Sequence, residues 1–387
     1  MNKKELELYI HIPFCVRKCS YCDFLSAPAT EQTREAYMAA LFAEIGGRAK
    51  DYSDRTVTSI FIGGGTPSLL SGEQIGQLMD RIREQFAMAQ DAEITMEVNP
   101  GTASAEKLRN FYTAGINRLS IGMQSAQAEE LKNLGRIHDF EGFCQVYREA
   151  VEAGFTNINV DIMSGLPGQT LASYRDTLEK VLHLEPMPQH ISAYSLIVEE
   201  GTPFAAMAER GELPLPEEET ERAMYEEPIE VLAKYGFHRY EISNYARDGY
   251  ECRHNVGYWI RRDCLGFGIG AASLIDNVRF QNEKSLGAYL AHPLESREEE
   301  QTLTVQDRME ETMFLGLRLT RGVSCVDFAE QYGRTVEEVY GEVIARNVAD
   351  GLLTVTERKE NQKKDRLLAL TKRGLDLSNY VMAQFLF

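Results

Sequence analysis

Short apolar runs alternate with longer amphipathic stretches between residues 8 and 235. The short runs are of strand length, whereas apolar residues in the longer stretches recur every three or four positions, as on one face of a helix. Repeated pairs of this kind are typical of a parallel sheet with crossover helices. The predicted strands are Leu8–Ile12, Ser59–Ile62, Ile94–Val98, Arg118–Ile121, Ile158–Ile162 and His190–Tyr194. The predicted helices are Glu31–Arg48, Gly72–Gln85, Ala105–Ala114, Phe140–Ala153, Ala172–Leu184 and Glu217–Tyr235.

Six strand–helix units are too few for a closed eight-stranded barrel. We therefore predict an α/β fold whose first domain, residues 1–238, is a partial (β/α)6 barrel that is open on one side. Residues 239–292 are predicted to form a connecting segment.

The composition becomes more charged from about Pro293, and residues 295–300 resemble a linker. Beyond them the pattern predicts helices at Arg308–Arg318, Val326–Tyr332 and Val336–Asp350, followed by two strand-like runs around a polar hairpin at 358–364. Three helices and a two-stranded wing predict a winged-helix-like C-terminal accessory domain over residues 293–387. Such a domain could cover the open barrel or contact a partner.

Three cysteines follow the first predicted strand with the spacing C-x3-C-x2-C: Cys15, Cys19 and Cys22. The next cysteine is Cys144, far along the chain. Iron–sulfur clusters are normally held by four thiolates, so three predict a [4Fe–4S] cluster with one iron open to a ligand. A structural zinc site or three unrelated thiols is the alternative, although zinc sites usually close with a second ligand pair.

Composition narrows the class of protein. The net charge of −18 argues against general binding to nucleic acid or to anionic membranes. Seven cysteines, three of them grouped as metal ligands, do not suggest a disulfide framework, so we expect a reducing cytoplasm. Neither a signal peptide nor a membrane span is expected, because no apolar run is long enough.

Polar residues stand where the predicted strands end, which is the active face of a parallel barrel. Gly63-Gly64-Gly65-Thr66-Pro67 follows the second strand, and successive glycines let the backbone approach a ligand closely. Glu97 and Asp161 could accept hydrogen bonds from hydroxyl or amino groups of a ligand, and Gln124 and Arg136 could bind its other polar ends. The alternative is an ordinary tight turn with paired or solvated polar residues at the barrel end.

Together these motifs resemble the radical S-adenosylmethionine (SAM) superfamily, and within it the oxygen-independent coproporphyrinogen III oxidases and their relatives, the heme-chaperone branch called HemW. The resemblance runs from Tyr9 to the C-terminus. It implies that the three cysteines bind the cluster, that its free iron is chelated by SAM, and that Gly63–Pro67 binds the methionine end. The residues that the resemblance assigns to SAM are Tyr9, Phe24, Gly64, Gly65, Thr66, Glu97, Gln124, Arg136 and Asp161.

A second motif, His254-Asn255-Val256-Gly257-Tyr258-Trp259, carries the single tryptophan of the chain. It resembles the HNxxYW element of the HemW branch, which implies a heme site with His254 as an axial iron ligand and aromatic rings against the macrocycle. The alternative is a packed turn with a hydrogen-bonded histidine.

The preferred function is a heme chaperone that transfers heme to acceptor proteins, without coproporphyrinogen oxidase activity. The oxidase pattern resembles C-x3-C-x2-C-x-C, and here Phe24 occupies the position of the fourth cysteine. The alternatives are the oxidase itself and a radical SAM enzyme with another substrate. The sequence leaves open the identity of the acceptor, the cleavage of SAM and the formation of a homodimer.

Overall fold

The computed structural model describes residues 3–295, 297–360 and 363–386. Its strands are β1 Lys4–Ile12, β2 Arg55–Gly64, β3 Ala87–Val98, β4 Arg118–Gln124, β5 Ile158–Ser164, β6 His190–Ser195, β7 His238–Arg239, β8 Asn244–Ala246, β9 Cys264–Phe267, β10 Ala272–Ile275, β11 Val278–Asn282, β12 Arg297–Thr302, β13 Val323–Ser324, β14 Leu353–Glu360 and β15 Lys363–Leu370. Its helices are α1 Glu31–Arg48, α2 Gly72–Gln85, α3 Ala105–Thr113, α4 Ala128–Leu134, α5 Phe140–Ala153, α6 Leu171–Leu182, α7 Pro203–Glu209, α8 Glu218–Ala233, α9 Arg253–Trp259, α10 Leu286–Ala291, α11 Val305–Gly316, α12 Cys325–Tyr332, α13 Val336–Ala349, α14 Lys372–Asp376 and α15 Ser378–Ala383.

The predicted partial barrel is confirmed. Strands β1 to β6 pair in parallel, each with the next one along the chain, and β9 pairs in parallel with the free side of β1. The complete sheet has the order β12-β11-β10-β9-β1-β2-β3-β4-β5-β6-β8-β7, so it curls without closing. The carboxyl ends of β1 to β6 therefore meet on one face of the barrel.

The helices begin and end where their local sequence dictates. Helix α2 starts at Ser71, whose hydroxyl accepts the Gln74 N–H while the Gln74 side chain accepts the Ser71 N–H, as in a capping box. Helix α5 ends at Gly154, whose φ of +110° suits glycine. The buried residues of α2 recur at helical spacing against the sheet: Ile75, Leu78, Met79 and Ile82.

The segment after the barrel contributes to the sheet. Strands β9 to β11 extend it beyond β1, and the acidic run expected to be a linker contains strand β12, which pairs antiparallel with β11. The linker expectation was wrong there, because pairing uses backbone groups and a wholly exposed edge strand can carry charged side chains.

The C-terminal unit has the predicted winged-helix-like form. Helices α11 to α13 and the sheet β13-β15-β14 enclose a separate apolar core. Buried Glu311 joins this unit to the barrel region through ion pairs with Arg261 at 2.8 Å and Arg279 at 2.7 Å. Within the described residues, no helix has the length and apolar character needed to cross a membrane.

Candidate functional site

A cavity of about 410 Å³ opens at the carboxyl ends of the barrel strands. The loop after β1 and the ends of β2 to β6 form its walls. The sequence-predicted residues that line it are Cys15, Cys19, Cys22, Phe24, Gly64, Gly65, Thr66, Glu97, Gln124, Arg136 and Asp161. The structure thus brings together eleven of the thirteen predicted site residues and leaves Tyr9 and His254 outside the cavity wall.

The three cysteines are free thiols, each partly exposed. The Thr66 hydroxyl donates to the Cys15 sulfur at 3.4 Å, and an Arg136 N–H donates to the Cys19 sulfur at 3.9 Å. Among the described residues, no three His, Cys, Asp or Glu side chains are placed to hold a single metal ion. A cubane cluster differs, because each thiolate binds a separate iron. Three thiols around one cavity, two of them with a hydrogen-bond donor to the sulfur, therefore fit a cluster better than a mononuclear site.

The glycine run brings the backbone to the cavity wall. Gly64 has a φ of +111°, and a Cβ built there would lie 2.5 Å from the His11 ring. A Cβ on Gly65 would lie 2.7 Å from the backbone oxygen of Phe14. No larger residue fits either position without movement, so these glycines let the backbone form the cavity wall. The Gly64 N–H donates there to the Glu97 carboxylate at 3.0 Å, and the Gly65 N–H donates to the Ile12 carbonyl at 2.8 Å.

Two carboxyl groups face the cavity from neighbouring parts of the sheet. Burial raises the pKa of Glu97 to about 7, with a further contribution from the Asp161 carboxylate, while the Gly64 N–H opposes the shift. Burial also raises the pKa of Asp161, opposed by hydrogen bonds that include the Asn159 amide at 2.6 Å. Desolvated carboxyl groups in a cleft mark a binding site, because donors from a ligand relieve their unfavourable burial.

Arg136 and Gln124 supply further polar groups. One Arg136 nitrogen donates to the Gly122 carbonyl at 2.6 Å, and the buried Arg136 Nε has no hydrogen-bond partner among the described atoms. Gln124 has a φ of 68°, and its side-chain oxygen accepts a hydrogen bond from Tyr194 at 2.9 Å. Because its Nε has no partner, the Arg136 guanidinium can bind an anionic group, such as the carboxylate of an amino acid.

Tyr9 lies below the cavity, on β1. Its hydroxyl is 3.0 Å from His11 Nδ1, and His11 Nε2 is 2.9 Å from the Leu25 carbonyl. The His11 ring is also the group against which Gly64 packs. Tyr9 thus supports the ligand-binding backbone through His11, and it does not itself line the cavity.

His254 lies on α9 at the opposite end of the barrel, with 1% of its surface exposed. Its Nδ1 is 2.9 Å from the Ser59 hydroxyl, its Nε2 is 3.1 Å from the Tyr258 hydroxyl, and its ring stacks on Phe61. Burial lowers the pKa of His254 to about 3. In this conformation both ring nitrogens are engaged, so the arrangement is that of the hydrogen-bonded histidine rather than of an axial iron ligand.

Comparison with known proteins identifies the family of the chain. Residues 9–181 match the model of the radical SAM superfamily, and residues 303–377 match the HemN C-terminal domain. The chain is 38% identical to the heme chaperone HemW of Bacillus subtilis, over 98% of both chains. It is 36% identical to that of Lactococcus lactis, over 100% of this chain and 98% of the relative.

The chain belongs to the HemW family of radical SAM proteins. Among solved structures it is similar to coproporphyrinogen III oxidase (HemN) from Escherichia coli, a radical SAM enzyme, with a TM-score of 0.85 and 28% identity. That similarity covers 99% of this chain and 90% of the oxidase. The HemW family and the oxidase therefore share one architecture, and the fold alone does not separate their functions.

Sequence reasoning missed several lining residues of this HemW-family site. Ser120 lines the same cavity as Gln124 and Asp161, and its inward-facing position on β4 was the available signal. Tyr194 and Ser195, which end the sixth predicted strand, line the cavity as their strand-end positions predict. Ile197 lies beyond the end of β6, where no periodicity applies. It is 68% exposed and stands with Phe24, which is 61% exposed, at the cavity.

Proposed function

We propose that this chain is a heme chaperone that carries a [4Fe–4S] cluster with bound SAM, binds one heme per monomer and transfers it to acceptor proteins. The observation that carries the proposal is the full-length similarity to relatives named heme chaperone HemW. Phe24 supports it, since the oxidase pattern would place a fourth cysteine there.

Cys15, Cys19 and Cys22 would hold the cluster, and its open iron would supply a coordination site for the amino and carboxylate groups of SAM. Thr66 and Arg136 stabilise negative charge on two of the sulfurs through their hydrogen bonds. These contacts orient the loop, whatever the fate of the bound SAM.

The remaining SAM contacts follow from the chemistry of the cavity wall. The Gly64–Gly65 backbone approaches the methionine end, and the Arg136 guanidinium is available to its carboxylate. Glu97 and Asp161 accept hydrogen bonds from hydroxyl or ammonium groups. A ligand that is zwitterionic at one end and carries a diol at the other satisfies all of these groups.

Coproporphyrinogen III oxidase activity is the second candidate function, and the fold shared with HemN is the observation that favours it. The curated relatives over the full length are named as chaperones instead. We therefore propose no decarboxylation of coproporphyrinogen III. We also propose a cytoplasmic location, where reducing conditions keep the cluster thiols free, and we retain the homodimer as a prediction.

Anaerobic reconstitution with iron and sulfide tests the proposed function on a single sample. We expect saturable hemin uptake and no consumption of coproporphyrinogen III. An assay for 5′-deoxyadenosine on the same sample reports whether SAM is cleaved. Turnover of coproporphyrinogen without saturable hemin uptake would establish that the chain is an oxidase.

A further inference from the structure

A second cavity, of about 520 Å³, lies between the end of α9 and the C-terminal unit. Its volume falls within the range of about 300–1,000 Å³ that ligand pockets occupy. Trp259 and Ile260 line it from the barrel side, and residues of α11, α12, β13, β14 and β15 line it from the other side. It shares no lining residue with the SAM cavity.

Helix α9 divides its two notable residues between different surroundings. His254 and Trp259 are five positions apart, which is about 140° around a helix. His254 is turned into the barrel floor against Ser59 and Phe61, whereas Trp259 lines the second cavity. The aromatic residue of the motif is therefore the one that a ligand in this cavity could reach.

The walls of the cavity combine apolar surface with unsatisfied donors. Exposed Ile260 and partly buried Trp259 provide the apolar surface, and the Arg318 guanidinium lies 4.3 Å from the centre of the Trp259 ring. The buried Trp259 Nε1 has no hydrogen-bond partner among the described atoms, and an unpaired buried N–H costs about 1–3 kcal/mol. Arg321 lines the same cavity, is exposed, and makes no hydrogen bond or ion pair within the described part of the chain.

These features fit a flat apolar ligand that carries carboxylate arms. Aromatic and aliphatic walls suit a macrocycle, and the free Arg321 guanidinium suits a carboxylate. Three carboxylates, Asp327, Glu330 and Asp365, and a second arginine, Arg358, also line the cavity. The carboxylate edge of the ligand therefore belongs on the Arg321 side. The Asp365 carboxylate already accepts the Val326 N–H at 3.2 Å.

We propose that the heme macrocycle is held in this cavity, between Trp259 and the C-terminal unit, with a propionate at Arg321. The proposal rests on the proposed function and moves the heme site away from the buried His254. Among the described residues that line the cavity there is no His, Cys, Met or Tyr, the usual protein ligands of heme iron. Contacts to the porphyrin, rather than a strong iron ligand, then hold the cargo, which suits a carrier that must release it.

Equilibrium titration of the full chain with hemin, followed by Soret absorbance, tests the site. Val326→Trp adds bulk to the cavity lining, and Arg321→Glu reverses the charge of the proposed propionate partner. We expect each to weaken hemin binding by about tenfold or more. Arg321 is exposed, so its variant remains informative if Val326→Trp fails to fold. The matched control is Arg109→Glu, an exposed arginine on α3 with the same charge change, which should bind as wild type does.

Titration with metal-free protoporphyrin IX tests whether the porphyrin, rather than the iron, provides the binding contacts. If porphyrin contacts dominate, it should bind within about tenfold of hemin and compete with it for one site. Wild-type hemin affinity in both Val326→Trp and Arg321→Glu would overturn this site and leave the chaperone function standing. Absence of saturable hemin binding in the wild-type chain would overturn both.

Discussion

The Glu97 carboxylate accepts a hydrogen bond from the Gly64 N–H at 3.0 Å, at the wall of the cavity proposed for SAM. The same carboxyl group has a pKa of about 7, raised first by burial and then by Asp161. One bond thus links the conformation of the glycine run to a carboxyl group that titrates near neutral pH. We therefore expect ligand binding at this wall to be coupled to the protonation of Glu97.

SAM affinity should rise with pH between about 6 and 7.5. Hydrogen-bond donors from the ligand favour the ionised Glu97, so binding releases a proton, and affinity falls by up to about tenfold per pH unit below the pKa. Isothermal titration in buffers of different ionisation enthalpy measures the proton release. Glu97→Gln should flatten the profile, whereas exposed Glu106→Gln on α3 should leave it unchanged. If SAM affinity in Glu97→Gln depended on pH as it does in wild type, Glu97 would not be the group whose proton is released on binding.

Gly65→Ala should abolish measurable SAM binding and destabilise the fold by about 1–3 kcal/mol. The added Cβ would lie 2.7 Å from the Phe14 oxygen and 2.9 Å from the Phe14 nitrogen, which are backbone atoms that cannot rotate away. Gly76→Ala is the control, since a Cβ at that position of α2 meets nothing within 4 Å. Equilibrium denaturation and SAM titration report the two effects separately. Normal SAM affinity in Gly65→Ala would show that the backbone approach is unnecessary.

Replacing Cys15, Cys19 and Cys22 together with alanine should abolish iron and sulfide incorporation after anaerobic reconstitution. The physical reason is that these three thiols are the ones that share the cavity. Cys144→Ala is the matched single-site control, because Cys144 lies on α5, away from the cavity lining. Chemical iron and sulfide analysis with absorption spectra provides the readout, and a retained cubane spectrum in the triple variant would contradict the assignment.

His254 should contribute to acid sensitivity of the fold. Its pKa of about 3 in the folded state lies below the ordinary value of 6.5, so the unfolded chain binds a proton more readily. The stability that neutral His254 provides is complete above pH 6.5 and is lost as pH falls toward 3. Denaturant unfolding at pH 7.5 and pH 5 should therefore show a smaller acid-dependent loss in His254→Gln than in wild type. Equal losses would mean that other groups account for the acid sensitivity.

The barrel could be predicted in detail because its helices are amphipathic and carry clear end signals. The bounds of α1, α2 and α5 agree with the sequence prediction. The cysteine loop follows β1 and lies at the cavity, as predicted. The surroundings of His254 could not be predicted, because they depend on Ser59, a residue 195 positions earlier that only the folded sheet brings near. Likewise, local spacing contained no signal that Trp259 and the C-terminal unit would enclose a cavity.

Heme binding as cargo separates a chaperone from an oxidase. Titration of the reconstituted chain with hemin, under anaerobic conditions, measures this binding. We expect a Soret change that saturates at one equivalent per monomer, with coproporphyrinogen III left intact in the same sample. A Soret change that rises without saturation, together with conversion of coproporphyrinogen, would contradict the chaperone function.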